Sequence, residues 1–384
     1  MFACLGVSTA LAADAASDPA LEEPVPEKPA LEESAPSDGS DLSGWLLDGR
    51  GMLPVPIILT DPALGNGGGV ALVRFRRPAG AAASETDGAG GGVQPHVFGI
   101  GAFRTSNGSE GAGAGALLRF RDDTLRYRGF VGRMSMNLEY HGPDALQSLS
   151  RDIGYNVDGA VSLQGVQARA GNDHLYAGFN WVYMDLDLAF ETESDAGLFR
   201  DPRLSRRNSG LGLSLEYDSR DSMFTPARGW LGAVDGTWYH DTVGSDSNFR
   251  LYRGRTHAYF PLGEDFVLGG RVDLRVAQGD VPFYRLPYID LRGIGAARYQ
   301  DTRALVLETE ARWNIATKWA LVGFVGAGRA WGRHAGFDEA ASRTAKGVGV
   351  RYLLSREIGL YVGVDHAWGP EDGTYYVQVG SAWR

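Results

Sequence analysis

The chain has 384 residues, 54 of them glycine, with 37 Lys and Arg against 47 Asp and Glu and a single cysteine. Glycine stands at about twice its usual share without a triplet period, which excludes a collagen-like chain and places the excess in strands, turns or loops. No stretch approaches the ~18–20 consecutive apolar residues that a membrane-crossing helix needs, and the net charge of −10 gives no support to a nucleic-acid partner.

Residues 1–13, MFACLGVSTALAA, form a short apolar stretch ending in the A-x-A-type site Ala10-Leu11-Ala12, and predict a cleaved export signal. The usual basic n-region is missing, so a truncated signal is expected. Cys4 falls inside it, and the expected mature chain therefore has no cysteine for a metal site, a disulfide or a nucleophile. Residues 14–50 are expected to be a disordered acidic linker. Nine acids between Asp14 and Asp41 face one base, Lys28, for a net charge of −8 over residues 14–43. Such a segment buries too little apolar surface to offset its ordering entropy. The rest of the chain carries only −2, so the acidity describes the linker and no binding surface.

Residues 51–384 read as one domain of strands. Leu211, Leu213, Leu215 and Tyr217 alternate with Gly212, Ser214, Glu216 and Asp218. Phe266, Leu268, Val272, Leu274 and Val276 oppose Arg271, Asp273 and Arg275, and Leu305, Leu307, Thr309, Ala311 and Trp313 oppose Glu308, Glu310, Arg312 and Asn314. The same period recurs at 346–354 and 358–366. A soluble sandwich would favour Lys, Thr and Ser on its polar face. Here that face carries Gly and Arg paired with Asp or Glu, as in a crowded, hydrated interior, while the apolar face is aliphatic in mid-strand and aromatic near its ends. The predicted fold class is all-β, a transmembrane antiparallel β-barrel.

Short turn signals at 122–123, 171–173, 261–265, 316–318 and 356–357 alternate with long polar stretches near 142–155, 192–208, 241–248, 278–303 and 333–345. Fifteen strands are counted from residue 66 onward. A closed barrel with both ends on one side needs an even number, so a sixteenth is assigned to Pro54–Thr60, whose prolines predict a weakly paired edge.

Three motifs resemble the BamA/TamA superfamily of outer-membrane barrels. Residues 210–230, GLGLSLEYDSRDSMFTPARGW, resemble its strand, periplasmic turn and following strand, with Asp218, Arg220, Asp221, Pro226 and Gly229 as the turn motif. PYIDLRGI (287–294) resembles the family's inward-folded loop, with Leu291, Arg292, Gly293 and Ile294 at its tip. LETEARWN (307–314) resembles the strand whose inward acid meets that arginine, with Glu310 and Arg312 as lumen partners, and VGFVGAGRAWG (322–332) resembles the next strand. The resemblance implies an inward loop anchored by Arg292, stiffening the wall far from the seam between first and last strands. The sequence departs from the pattern at Gly326, where the family has an acid, and at Ile294, where an aromatic is common. At the end of the chain, VQVGSAWR, Val377, Val379 and Trp383 are expected to mark a lipid-facing last strand. Residues 14–50 leave no room for the family's periplasmic POTRA modules, so a short member is expected.

Other chemistry is poorly supported. The seven histidines form no H-E-x-x-H, there is no G-x-S-x-G, and no metal site or cofactor is expected. The Gly-rich run at 65–69 precedes a strand, which argues against a phosphate loop. Asp185 and Asp187 share a strand face and read as structural lumen carboxylates. The expectation is therefore a non-enzymatic barrel of the bacterial outer membrane that moves protein or lipid into or across it. Its expected partners are outer-membrane lipid or lipopolysaccharide, with a separate periplasmic protein or a second copy supplying what POTRA modules would. A passive pore for small solutes is the alternative, and an outer-membrane hydrolase a third.

Overall fold

The alternating segments form sixteen strands. They are β1 (Leu53–Leu59), β2 (Gly67–Arg76), β3 (His96–Thr105), β4 (Glu110–Phe120), β5 (Leu125–Tyr140), β6 (Ile153–Arg169), β7 (Leu175–Phe190) and β8 (Arg203–Asp218), followed by β9 (Gly229–Tyr239), β10 (Phe249–Pro261), β11 (Phe266–Gly279), β12 (Arg303–Asn314), β13 (Trp319–Trp331), β14 (Arg343–Ser355), β15 (Leu360–Trp368) and β16 (Thr374–Val379). The structure is a computed structural model and describes residues 41–48, 51–59, 66–78, 94–140, 153–190, 203–370 and 373–383. The expected signal and most of the expected linker lie outside the described residues.

Each strand pairs antiparallel with its sequence neighbour, in the unbroken order β1 to β16. β1 and β16 lie side by side, which brings the sheet round into a barrel. The count of sixteen and the placing of the first strand on the proline-containing segment are both as expected. From β4 onward most short turns lie at one rim and most long connections at the other, while the long β2–β3 connection (77–95) falls at the short-turn rim and the short β3–β4 turn (106–109) at the opposite one.

The apolar residues point outward. Leu213, Val234, Val325 and Val348 are each more than half exposed, while their polar strand-mates turn in. Trp230, Trp313 and Trp319 stand near the short-turn rim, and Trp238 and Trp368 near the opposite one, all exposed. An outward aliphatic band bounded by tryptophans is the surface of a protein wrapped in lipid.

The long-loop side departs from the expected pattern over β5 to β8, which are the longest strands at 16 or 17 residues. Toward that rim the pattern inverts. Met136, Tyr155, Val157, Val161, Met184, Leu186 and Leu188 point inward as a buried cluster, with Phe283 and Tyr284 packed on it. Asp158, Asp185, Asp187 and Arg207 point outward and are exposed. These strands outrun the apolar band, and beyond it they obey the rule for water, with the greasy face in. Two expectations are corrected. Asp185 and Asp187 lie on the outer wall, not in the lumen, and β6 and β8 begin at Ile153 and Arg203, inside stretches read as loops.

The linker's end also differs from expectation. Ser43–Leu47 form a short helix, α1, with Leu46 and Leu47 fully buried against Phe75, Ile358 and Leu360.

The inversion sets a boundary that substitution can locate. Arginine at Leu213, in the apolar band, is expected to cost ~2–4 kcal/mol of folding into vesicles. Arginine at Ser205, on the same face of β8 but past the boundary, is expected to be near neutral. The gel mobility of unheated samples after refolding into vesicles measures both.

Candidate functional site in the barrel lumen

The β11–β12 connection turns into the barrel. Its two arms are held together by Ile289 N–H donating to Tyr299 C=O (3.0 Å) and Asp301 N–H to Pro287 C=O (3.0 Å), with a bridge between Tyr288 and Gln300. Arg271 Nη1 donates to the Asp290 carbonyl (3.1 Å) and Arg275 Nη2 to the Asp290 carboxylate (2.5 Å), pinning the stem to β11. At the tip Gly293 takes φ +90°, a left-handed conformation that a side chain would strain, and an added Cβ would also press on the backbone of Trp368 and Gly369.

Arg292 beside it is the centre of the site. Its Nη2 lies 2.8 Å from Glu308 Oε1 and 2.7 Å from Glu310 Oε2, and its Nη1 donates to Asp365 Oδ2 at 2.8 Å. The guanidinium also stacks on Phe324, 3.5 Å from the ring centroid. One cation thus joins β12, β13 and β15 across the lumen. Buried Asp365 is shared with Arg351, and Glu308 with Arg271 (3.2 Å) and the Trp383 indole N–H (2.8 Å). Arg271 in turn binds Asp273, which also takes the Arg253 fork. In such a confined space each charge is tolerated because several donors or acceptors meet it.

The expected pairing of Arg292 with Glu310 is present. The acid missing at Gly326 is replaced from elsewhere: Asp365 of β15 supplies the extra carboxylate, while the bare Gly326 leaves room for Leu291. Leu291 and Ile294 are buried with Ile289, Tyr299, Val306 and Ala345, so an aliphatic tip takes the place of the aromatic. Arg312 points inward, with its guanidinium 5.7 Å from the Tyr361 ring and close enough to Glu310 to feel its charge. The anchor does not avoid the seam side either. Gly293 N–H donates to Tyr376 Oη (2.8 Å), so the loop tip touches β16.

The turn motif folds as its residues suggest, and goes further. Asp218 accepts the Arg220 fork (2.8 and 3.0 Å), and Asp221 Oδ1 accepts from the N–H groups of Ala227 (3.0 Å) and Arg228 (3.4 Å), closing the loop around the buried Pro226. Gly229 has φ +98°, with the Ser219 carbonyl where a Cβ would be. The turn bends under the barrel mouth. Phe224 packs edge-on against Phe75 of β2 (5.6 Å), Ser222 Oγ donates to Ile358 C=O (3.3 Å), and Ser381 N–H donates to Phe224 C=O. At the same rim, burial raises the pKa of Asp123, but hydrogen bonds from Arg126 and the charge of Arg119 outweigh it and hold the carboxyl below its ordinary value.

Trp383 corrects an expectation. Val377 and Val379 do keep the outward parity of β16. The strand stops at Val379, however, Gly380 takes φ +78°, and the chain turns into the lumen, where Trp383 is buried beside Tyr259 and Val267. Reading Trp383 as lipid-facing extends a strand that its glycine ends.

Removing the Arg292 guanidinium leaves buried Glu308 and Asp365 short of a donor and partly buried Glu310 short of a counter-charge. Arg292→Ala is expected to cost ~3–5 kcal/mol. Arg292→Lys should recover only part, since an ammonium cannot match the planar fork or the stacking on Phe324. The temperature at which the folded gel band is lost ranks the three proteins.

The family model described as the Omp85 superfamily domain matches residues 124–370, from the start of β5 to the end of β15. Among solved structures, the barrel is similar to BamA from Haemophilus ducreyi lacking POTRA domains 1–3, with a TM-score of 0.53 and 13% identity over 85% of this chain and 68% of that one. It is also similar to CdiB from Acinetobacter baumannii, with a TM-score of 0.53 and 9% identity over 85% of this chain and 58% of that one. At these identities the likeness is one of fold. No curated protein sequence matches.

Proposed function

Because the chain belongs to the Omp85 superfamily and is a bacterial outer-membrane barrel, we propose that it inserts or translocates polypeptide or lipid at that membrane through the seam between β1 and β16. The observation that carries this reading is the seam itself. Among the described residues no hydrogen-bonded ladder joins the two strands, and they are the shortest of the barrel, with 7 and 6 residues. Pro54 and Pro56 stand opposite Leu72 and Val70 and have the same parity. Lacking N–H groups, they suit positions whose nitrogen points away from β2, and so remove two donors from the edge that faces β16.

The lumen supports the same route. The inward loop and the C-terminal residues enter the lumen and the 218–229 turn bends under its mouth, which disfavours a steady aqueous path and therefore the passive pore. A segment entering sideways through the seam would meet an unpaired strand edge on each side, the arrangement that captures a further strand. Outer-membrane lipid is the surrounding partner in this reading. A periplasmic protein or a second copy would deliver the client, and the roles given to Arg292 and the turn motif are to hold the barrel's shape while the seam opens.

The test is a reversible lock. Cysteine at Pro56, paired in turn with cysteines along Tyr375–Val379, is oxidised to a disulfide in protein reconstituted into vesicles. Insertion of an unfolded β-barrel client should fall to background in the oxidised protein and return on reduction. Unchanged insertion with the seam locked would refute the route, and large steady conductance in planar bilayers would favour the pore.

A further inference from the structure

We propose that α1, together with the Arg77–Glu357 ion pair, is an internal latch that holds the seam shut at the short-turn rim. The inference rests on the seam being the moving part and specifies how it is regulated. β14, β15 and β16 lie on one side of the seam and β1 and β2 on the other, and α1 is tied to both flanks. On one side Leu42 N–H donates to Leu354 C=O (3.1 Å), Ser43 Oγ meets Ser355 Oγ (2.8 Å), and Glu357 N–H donates to Ser43 Oγ (3.2 Å), all at the end of β14 or in the turn after it. On the other side Arg77 N–H, just past β2, donates to Leu47 C=O (3.4 Å). The Arg77 guanidinium then crosses the same gap to Glu357 at 2.5 Å, with both side chains partly buried.

The apolar face of α1 completes the bridge. Leu46 and Leu47 fill a buried cluster drawn from both flanks: Phe75 and Val73 from β2, Ile358 and Leu360 from the β14–β15 turn and β15. Phe224 of the turn motif closes it from below. A five-residue helix has no stability of its own, so its order comes wholly from the two docking surfaces, and loss of either frees it. β1 begins at Leu53, six positions after Leu47. Withdrawal of α1 therefore releases the start of the weakest strand, while a docked α1 supplies the cross-seam bonds that the missing ladder does not. The latch makes the closed seam the resting state of the isolated protein, and a pull on the segment before Asp41 is the motion that opens it.

Nitroxide labels at Met52→Cys, just ahead of β1, and Val377→Cys, on the outer face of β16, report the seam width toward the latch by pulsed dipolar spectroscopy in vesicles, in a Cys4→Ser background. The native latch should give one narrow distance. Glu357→Arg should add a population at longer distance, and Arg77→Glu with Glu357→Arg should remove it again by restoring the pair. Leu46→Ala with Leu47→Ala provides a second way to release the helix without altering charge. If folded protein carrying either change keeps the native distribution, or if the reversed pair fails to restore it, the latch is wrong. A widened seam with unchanged client insertion would support the latch and count only against the seam's part in insertion.

Discussion

A sheet that crosses lipid has no water to satisfy a free backbone N–H or C=O, so every strand must be bonded on both edges. Among the described residues, fifteen of the sixteen strand boundaries in this barrel meet that demand with antiparallel ladders, and the boundary between β1 and β16 does not. Two prolines and two very short strands concentrate the deficit on one line. Opening the wall between β6 and β7 would break the pairing of fifteen residue pairs. At the seam no ladder joins the described residues, which makes it the place where the barrel parts at least cost.

The interior is arranged around that weakness. Arg292 draws carboxylates from β12 and β15 to one point and lies on an aromatic ring from β13, so the inward loop braces the wall from β11 round to β15. The neighbouring arginines share Asp273, Asp290 and Glu308 among them, and no single pair carries the arrangement. The loop tip and the 218–229 turn reach the strands that flank the seam, while Trp383 packs on the inner side of β10 to β12. The charged centre therefore fills the lumen and gives the C-terminal wall a firm back, against which the N-terminal strand can move.

Much of this is legible in the sequence because period-two alternation is a local signal. It marks the strands, their two faces and the even count, and Arg292, Gly293 and Glu310 stand out because PYIDLRGI and LETEARWN resemble the family's inward loop and the strand that meets it. What the sequence hides depends on register or on distant contacts. Asp365 falls on the polar face of its strand by alternation, but only the offset accumulated over three further strands brings it to Arg292. The helix α1 spans five residues, too few to show a helical period, and is ordered only by surfaces at both ends of the chain. Asp185 and Asp187 read as lumen residues because alternation gives two faces without saying which is inside; once β5 to β8 leave the lipid, the assignment reverses. Trp383 has the right parity for a lipid-facing residue, but Gly380 ends its strand first.

Backbone hydrogen exchange of the protein in lipid nanodiscs tests the unpaired seam most directly. The Ile58 amide of β1 and the β16 amides that point away from β15 should exchange far faster than those of β6 and β7 in the apolar band, although all lie in strands of the same barrel. Protection of β1 and β16 equal to that of β6 and β7 would mean that a ladder closes the wall, and would contradict a barrel that opens between its first and last strands.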